Sequence, residues 1–252
     1  LTNDFIIKKL KDQFQQVPCF TRKELHDFYL NFEPELNEST FRWRIHNLKA
    51  KHLLRNIDKD TFSLSFKPSF TANIESKSRD IFLKVQKSYP HAKGCIWSTK
   101  WLNEFMLHQP FKFMTLLEVE ESAVESVFHF LQDEGLKELF LEPDEKEIEK
   151  YISENSNPIV VKTLLTGTPL QKMDKVVAPM LEKILVDIYC EKALFSAFQG
   201  SELSFIFKTC FEKYAINQTT LLRYASRRGK RLELTEFIIT ETNAFKPDLH
   251  DR

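Results

Sequence analysis

The sequence predicts an α+β protein in two parts, and three observations carry that prediction. Three helix-like stretches and then two short strand-like runs fill residues 3–66. From Glu75 onward strand-like and helix-like segments alternate, as in an α/β layer. After Pro179 the pattern is helical. A chain of 252 residues is long enough for one large domain or two ordinary ones. The expected boundaries are residues 1–70 and 75–252, joined by a connection over Lys67–Ile74.

The first helix is expected over residues 3–15, where Phe5, Ile6, Leu10 and Phe14 fall near one face. Pro18 stops it. Thr21-Arg22-Lys23-Glu24 forms a capping-box sequence, so a second helix starts there and runs to about Asn31. Glu33-Pro34-Glu35 breaks it. A third helix begins near Asn37 or Ser39, with Phe41, Ile45 and Leu48 on one face. The runs HLLRNI and TFSLSF then read as strands joined by Asp58-Lys59-Asp60. Three helices followed by a hairpin is the order of a winged helix-turn-helix domain. Its third helix normally enters the major groove of DNA.

In the second part a helix is expected over residues 75–88, then the strand GCIWS and a short helix near Lys100–Phe105. The strand KFMTLLEV, the helix ESAVESVFHFLQDE and the strand KELFLE follow. An acidic helix near residues 144–152 leads to the strand PIVVKTLL. The closing helices are Pro179–Lys192, Ser201–Tyr214, Asn217–Arg228 and Leu232–Thr240.

Composition narrows the function classes. The chain is 42% apolar and 29% charged, an ordinary globular balance with no low-complexity tract. No apolar run approaches the roughly 20 residues of a membrane helix. The start carries no signal-peptide pattern. Cys19, Cys95, Cys190 and Cys210 are widely spaced, with no CxxC, which argues for reduced buried thiols rather than a zinc or redox site. A cytoplasmic location is expected.

The net charge is zero, yet charge is unevenly placed. Ser39–Lys67 holds seven basic residues against Asp58 and Asp60, a net of +5. Leu117–Asn157 holds thirteen acids against three lysines, a net of −10. Lys208–Arg231 holds seven basic residues against Glu212, a net of +6. Blocks of alternating sign suit a chain that meets a polyanion at two places and another partner at a third.

The first basic block coincides with the helix that would enter DNA. Ser39, Trp43, His46, Asn47 and Ala50 lie opposite its apolar face, flanked by Thr40, Arg42 and Lys51. Arginine suits guanine edges and phosphates, asparagine suits adenine, and serine or threonine suits phosphates. The DNA-binding residues expected are therefore Ser39, Thr40, Arg42, Trp43, Arg44, Asn47, Lys49, Lys51 and the hairpin residue Lys59. A second basic surface is expected around Arg223, Arg227, Arg228, Lys230 and Arg231, where Asn217 caps a helix and Gly229 stops it.

Catalysis has little support. The sequence contains no Gly-rich phosphate loop, HExxH or GxSxG. Gly167-Thr168 is no more than a turn signal. Glu118, Glu120 and Glu121 end one strand and Lys162 lies on another, a loose likeness to a magnesium-dependent nuclease. No catalytic residue, metal or cofactor is expected.

The N-terminal part, the α/β middle and the stretch PMLEKILVDIYCEKALFSAFQGSEL followed by YAINQTTLLRYASRRGK together resemble the AbiEi-type antitoxins of type IV toxin–antitoxin systems, or a bacterial group related to them. LEKILVD at Leu181–Asp187 is similar to the helix in which these antitoxins carry an acidic–basic pair and then Asp. RYASRRGK matches their basic, Tyr-Ala-containing helix. The resemblance implies a transcriptional regulator that represses its own operon and counters a nucleotidyltransferase-fold toxin encoded next door. Its expected partners are double-stranded DNA and that toxin, and it is not an enzyme. The alternatives are a metal-dependent nuclease-like defence protein and a winged-helix module that docks proteins.

Overall fold

A computed structural model of the protein describes residues 3–242 except 15, 16, 18, 52, 59, 65, 66, 153, 154 and 156. The expected hairpin residue Lys59 lies outside the described residues. The chain is mixed α and β, and it divides into two compact units, the first comprising residues up to Ser69 together with Lys213–Ala215 and the second Phe70–Glu212 together with the described residues from Ile216 on.

The first unit contains α1 (Asn3–Phe14), β1 (Phe20–Thr21), α2 (Arg22–Leu30), α3 (Glu38–Ala50), β2 (Leu54–Asp58) and β3 (Thr61–Leu64). Local chemistry sets its helix starts. Thr21 Oγ1 accepts from the Glu24 amide at 3.2 Å, and Glu24 accepts in return from the Thr21 amide at 2.7 Å. Both free amides at the start of α2 are thereby satisfied. Asn37 Oδ1 accepts from the Thr40 amide at 2.8 Å and starts α3. The three strands form an antiparallel sheet in the order β1-β3-β2. The apolar periodicities converge on one core of Ile6, Leu10 and Phe14 from α1, Leu25 and Phe28 from α2, and Phe41, Ile45 and Leu48 from α3. Phe5 departs from expectation. It is 40% exposed and packs edge-on against Phe32 at the margin of that core.

The second unit opens with residues expected to form a connection. Phe70, Ala72 and Ile74 are buried instead, and Trp101 donates to the Asn73 carbonyl. Then come α4 (Ser76–Ser88), β4 (Gly94–Ser98), a 3-10 turn Thr99–Phe105, β5 (Thr115–Val119), α5 (Val124–Asp133) and β6 (Leu139–Leu141). The acidic stretch is a short α6 (Glu145–Glu147) that widens into a π-turn over Ile148–Ile152. Next is β7 (Ile159–Thr163). A four-stranded sheet has the order β4-β5-β7-β6, with β4 antiparallel to β5 and the other pairings parallel. Gly94 permits the β4–β5 approach: a Cβ there would sit 2.9 Å from the Glu118 carbonyl oxygen.

One hairpin was not expected from the sequence. β8 (Leu170–Met173) and β9 (Val176–Pro179) pair across Asp174, which takes φ +53°, and Val176 and Ala178 enter the core. The helices α7 (Leu181–Cys190), α8 (Ser201–Lys213), α9 (Gln218–Arg227) and α10 (Arg231–Thr242) complete the unit. Gly229, at φ +68°, separates α9 from α10.

Strand alternation gives this sheet two different faces. Leu117, Val119, Ile159 and Val161 join Ile81, Phe82 and Val85 of α4 and Val124, Val127 and Leu131 of α5 in an apolar core. The intervening residues point the other way, toward α7. Register aligns Cys95 with Glu118, and Glu118 with Lys162, so one row on that face carries three polar side chains.

Candidate functional site

Two constellations carry chemistry, one in each unit. In the second unit, Lys183, Asp187 and Glu191 lie four residues apart, so α7 presents them as one stripe to the polar row of the sheet. Lys183 Nζ donates to Glu118 Oε1 at 2.6 Å and also to Asp187. Trp97 Nε1 donates to the same Glu118 oxygen at 3.0 Å. A second stripe comes from α9. The Tyr224 hydroxyl donates to Asp187 Oδ1 at 2.9 Å, and Arg228 donates to Glu191 Oε1 at 2.8 Å. Lys162 closes the series on Glu191.

Three cations and three carboxylates thus alternate from the buried sheet face to the C-terminal end of α7. Lys183 has no exposed surface, and Glu118 and Asp187 are 3% and 2% exposed. Burial opposes the Lys183 charge, but Asp187 and Glu118 together outweigh it and hold its pKa well above the ordinary lysine value. The Tyr224 hydroxyl is pushed up by burial and then by Asp187, so it stays a donor. Burial also raises the Cys95 thiol, reinforced by Glu118. Apolar rings seal the inner end, where Trp97 stacks on Phe195 at 5.7 Å. Next to Lys162 and Glu191 a cavity of about 590 Å³ opens, bordered also by Glu142, Asp144, Glu145 and Cys190.

Such a closed series holds helices to a sheet. Its groups already satisfy one another, and a buried cation between two carboxylates is a fixed charge rather than a proton carrier. Glu118 and Lys162 do share the row that a nuclease would use, but each is engaged by another side chain. Among the described residues, no group of three His, Cys, Asp or Glu side chains converges as a metal ion requires.

The five residues expected to form a second basic surface separate. Arg223 and Arg231 are exposed and make no ion pair among the described residues. Arg227 lies across Gly167 and donates to the Thr166 carbonyl at 3.0 Å; Gly167 has φ +76°, and a Cβ there would strike the guanidinium. Lys230 pairs with Glu233. Arg228 is the clearest departure. It belongs to the buried series, because the turn from Arg227 to Arg228 swings its side chain from the rim of α9 toward α7. Nothing in the local sequence distinguishes the two arginines. Spacing does not separate them either, since Arg223 and Arg227 stand four apart just as Tyr224 and Arg228 do; only the docking of α9 on α7 does.

In the first unit α3 turns Ser39, Arg42, Trp43, His46, Ala50 and Lys51 outward, with Thr40, Asn47 and Lys49 half-buried. Arg42 meets Glu38 at 3.1 Å, and Glu38 is shared with Arg22. Ser39 donates to Asn37. Lys49 stands 5.0 Å over the Phe62 ring, where burial lowers its pKa, helped by Arg22. Arg44 differs from its neighbours. It makes a two-pronged contact with Glu33 and lies 4.9 Å over the Tyr29 ring, a position with internal partners on both sides.

A family model matches residues 40–244, from within α3 past the end of α10; its description is a family of unknown function (DUF6577), and the chain belongs to that family. No curated protein matches the chain.

Proposed function

We propose that the first unit is a winged helix-turn-helix that binds double-stranded DNA, and that the chain is a non-catalytic transcriptional regulator acting as the antitoxin of a type IV system. One observation carries the DNA-binding part. The face of α3 away from the core carries Arg42 and Lys51 on its flanks and Trp43, His46 and Asn47 between them, with no acidic side chain on that stripe. The element order and the β1-β3-β2 sheet support it, since they set α3 just before a hairpin that can follow the DNA backbone. Phosphate contacts release counterions, so binding falls steeply with salt.

The antitoxin part has narrower support. The two segments that resemble AbiEi-type antitoxins, Leu181–Asp187 and the helix ending at Gly229, meet through Tyr224 and Asp187. That contact puts the two segments side by side in one unit of this chain.

The test has two arms. A mobility shift on the segment upstream of the protein's own gene, at two salt concentrations, reads DNA binding. Arg42→Ala with Lys51→Ala should weaken it, and unchanged binding removes α3 from the interface. Co-expression with the product of the adjacent gene reads the antitoxin role: rescue of growth supports it, and continued toxicity removes it.

A further inference from the structure

The outward stripe of α3 holds three large side chains, Trp43, His46 and Asn47, that nothing among the described residues uses. Trp43 is 63% exposed. Among the described residues its indole N–H has no acceptor, and its ring meets neither another ring nor a cation. The Asn47 amide likewise makes no hydrogen bond among them. Nearly every other large side chain of α3 is engaged: Arg42 with Glu38, Arg44 with Glu33 and Tyr29, and Lys49 with Phe62. Trp43 and Asn47 are one helical turn apart and border the same groove of about 290 Å³. Ser39 and Ala50, small side chains, stand at the two ends of the stripe and leave room for close approach.

Resting on the DNA-binding reading above, we infer that α3 reads adjacent adenine·thymine pairs through Asn47 and Trp43. The Asn47 carboxamide matches adenine: its oxygen accepts from the N6 amino group while its NH₂ donates to N7. The apolar indole matches the 5-methyl of thymine, the one apolar group on the major-groove edge of the bases. Residues a turn apart on a helix are separated by about 6 Å, and stacked base pairs by about 3.4 Å. The thymine read by Trp43 therefore lies one or two steps from the adenine read by Asn47. Arg42 and Lys51, on the two flanks, serve the phosphates and carry no sequence information.

The test uses the full chain. Duplexes retained by the wild-type protein are selected from a random pool, and affinities are then measured by fluorescence anisotropy on substituted versions of the selected site. Replacing thymine by deoxyuridine removes only the methyl group. Replacing adenine by 7-deazaadenine removes only the N7 acceptor. The expected result is a selected site with adjacent A·T pairs. The wild type should lose about tenfold in affinity with 7-deazaadenine at one position, and a smaller factor with deoxyuridine at a neighbouring one. Asn47→Ala should bind adenine and 7-deazaadenine duplexes equally, and Trp43→Ala should bind thymine and deoxyuridine duplexes equally. Tight binding with no A·T preference, or full discrimination retained by both variants, overturns the inference while leaving DNA binding intact. No retained duplex at low salt overturns both. If Trp43→Ala leaves duplex binding unchanged and abolishes capture of the adjacent gene's product, the indole belongs to protein docking and the inference fails.

Discussion

Helices α3 and α7 both carry charged and polar residues at four-residue spacing, yet they use them in opposite ways. On α3 the apolar stripe turns inward, and Trp43, His46 and Asn47 on the outward stripe have no side-chain partner among the described residues. On α7 the ionic stripe itself faces inward, and Lys183 has no exposed surface at all. The difference lies in what waits opposite. Behind α3 are phenylalanines and leucines of neighbouring helices. Opposite α7 is a strand row bearing Glu118 and Lys162. Charge in a helix therefore marks a surface only when no complementary charge stands across from it.

Changing the central ion should separate the two helices most sharply. Lys183→Met leaves Glu118 and Asp187 buried without the cation they share, so it should destabilise the second unit by about 3–5 kcal/mol, read as a lower midpoint in a urea melt. An unaltered midpoint would mean that water reaches the site. Arg228→Ala should cost about 2 kcal/mol, because a charge-assisted bond to Glu191 is removed. Arg223→Ala, five residues earlier and exposed, should stay within about 0.5 kcal/mol of wild type. Equal effects would show that the two arginines do share one basic surface. Thr21→Ala removes the α2 cap and should cost about 1 kcal/mol in the first unit. Smallest of all in stability, Arg42→Ala with Lys51→Ala should leave both melts unchanged. It should still flatten the log–log salt dependence of DNA binding, by about 0.9 for each phosphate that the variant no longer neutralises.

Alkali offers a further contrast. A lysine whose folded pKa is raised contributes stability that is fully present below its unfolded value and is lost as pH rises through the folded one. The Lys183 contribution should therefore persist up to about 10.5, the ordinary value, and fade only above it. In the first unit burial raises the Tyr29 hydroxyl to about 12, with Arg44 opposing and Glu33 adding to the shift. The unfolded phenol ionises near 10, so this group costs the fold stability between pH 10 and about 12. Absorbance of the phenolate, followed with pH, checks Tyr29 directly.

Much of this molecule was legible in its sequence. Local signals settled the helix boundaries: the Thr21–Glu24 box, the Asn37 and Asn217 caps and the Gly229 stop act within four residues, where spacing is informative. The β8–β9 hairpin escaped because its strands are short, its turn residues are Asp174 and Lys175, and only Val176 and Ala178 show alternation. The ionic series escaped for another reason. Glu118 and Lys183 are 65 residues apart, and only sheet register and helix docking bring them together. The separation of Arg228 from Arg227 needed that same long-range knowledge.

The stripe on α7 also limits how this chain can change in length. Inserting one residue between Lys183 and Asp187 would turn everything beyond it by about 100°. Asp187 and Glu191 would leave Tyr224, Arg228 and Lys162 together. Loops such as the turn at Gly135, where a side chain would meet only open space, bear no such constraint. Insertions and deletions among relatives should therefore gather in those turns and spare the interval from Leu181 to Glu191, a pattern that an alignment of family members can check.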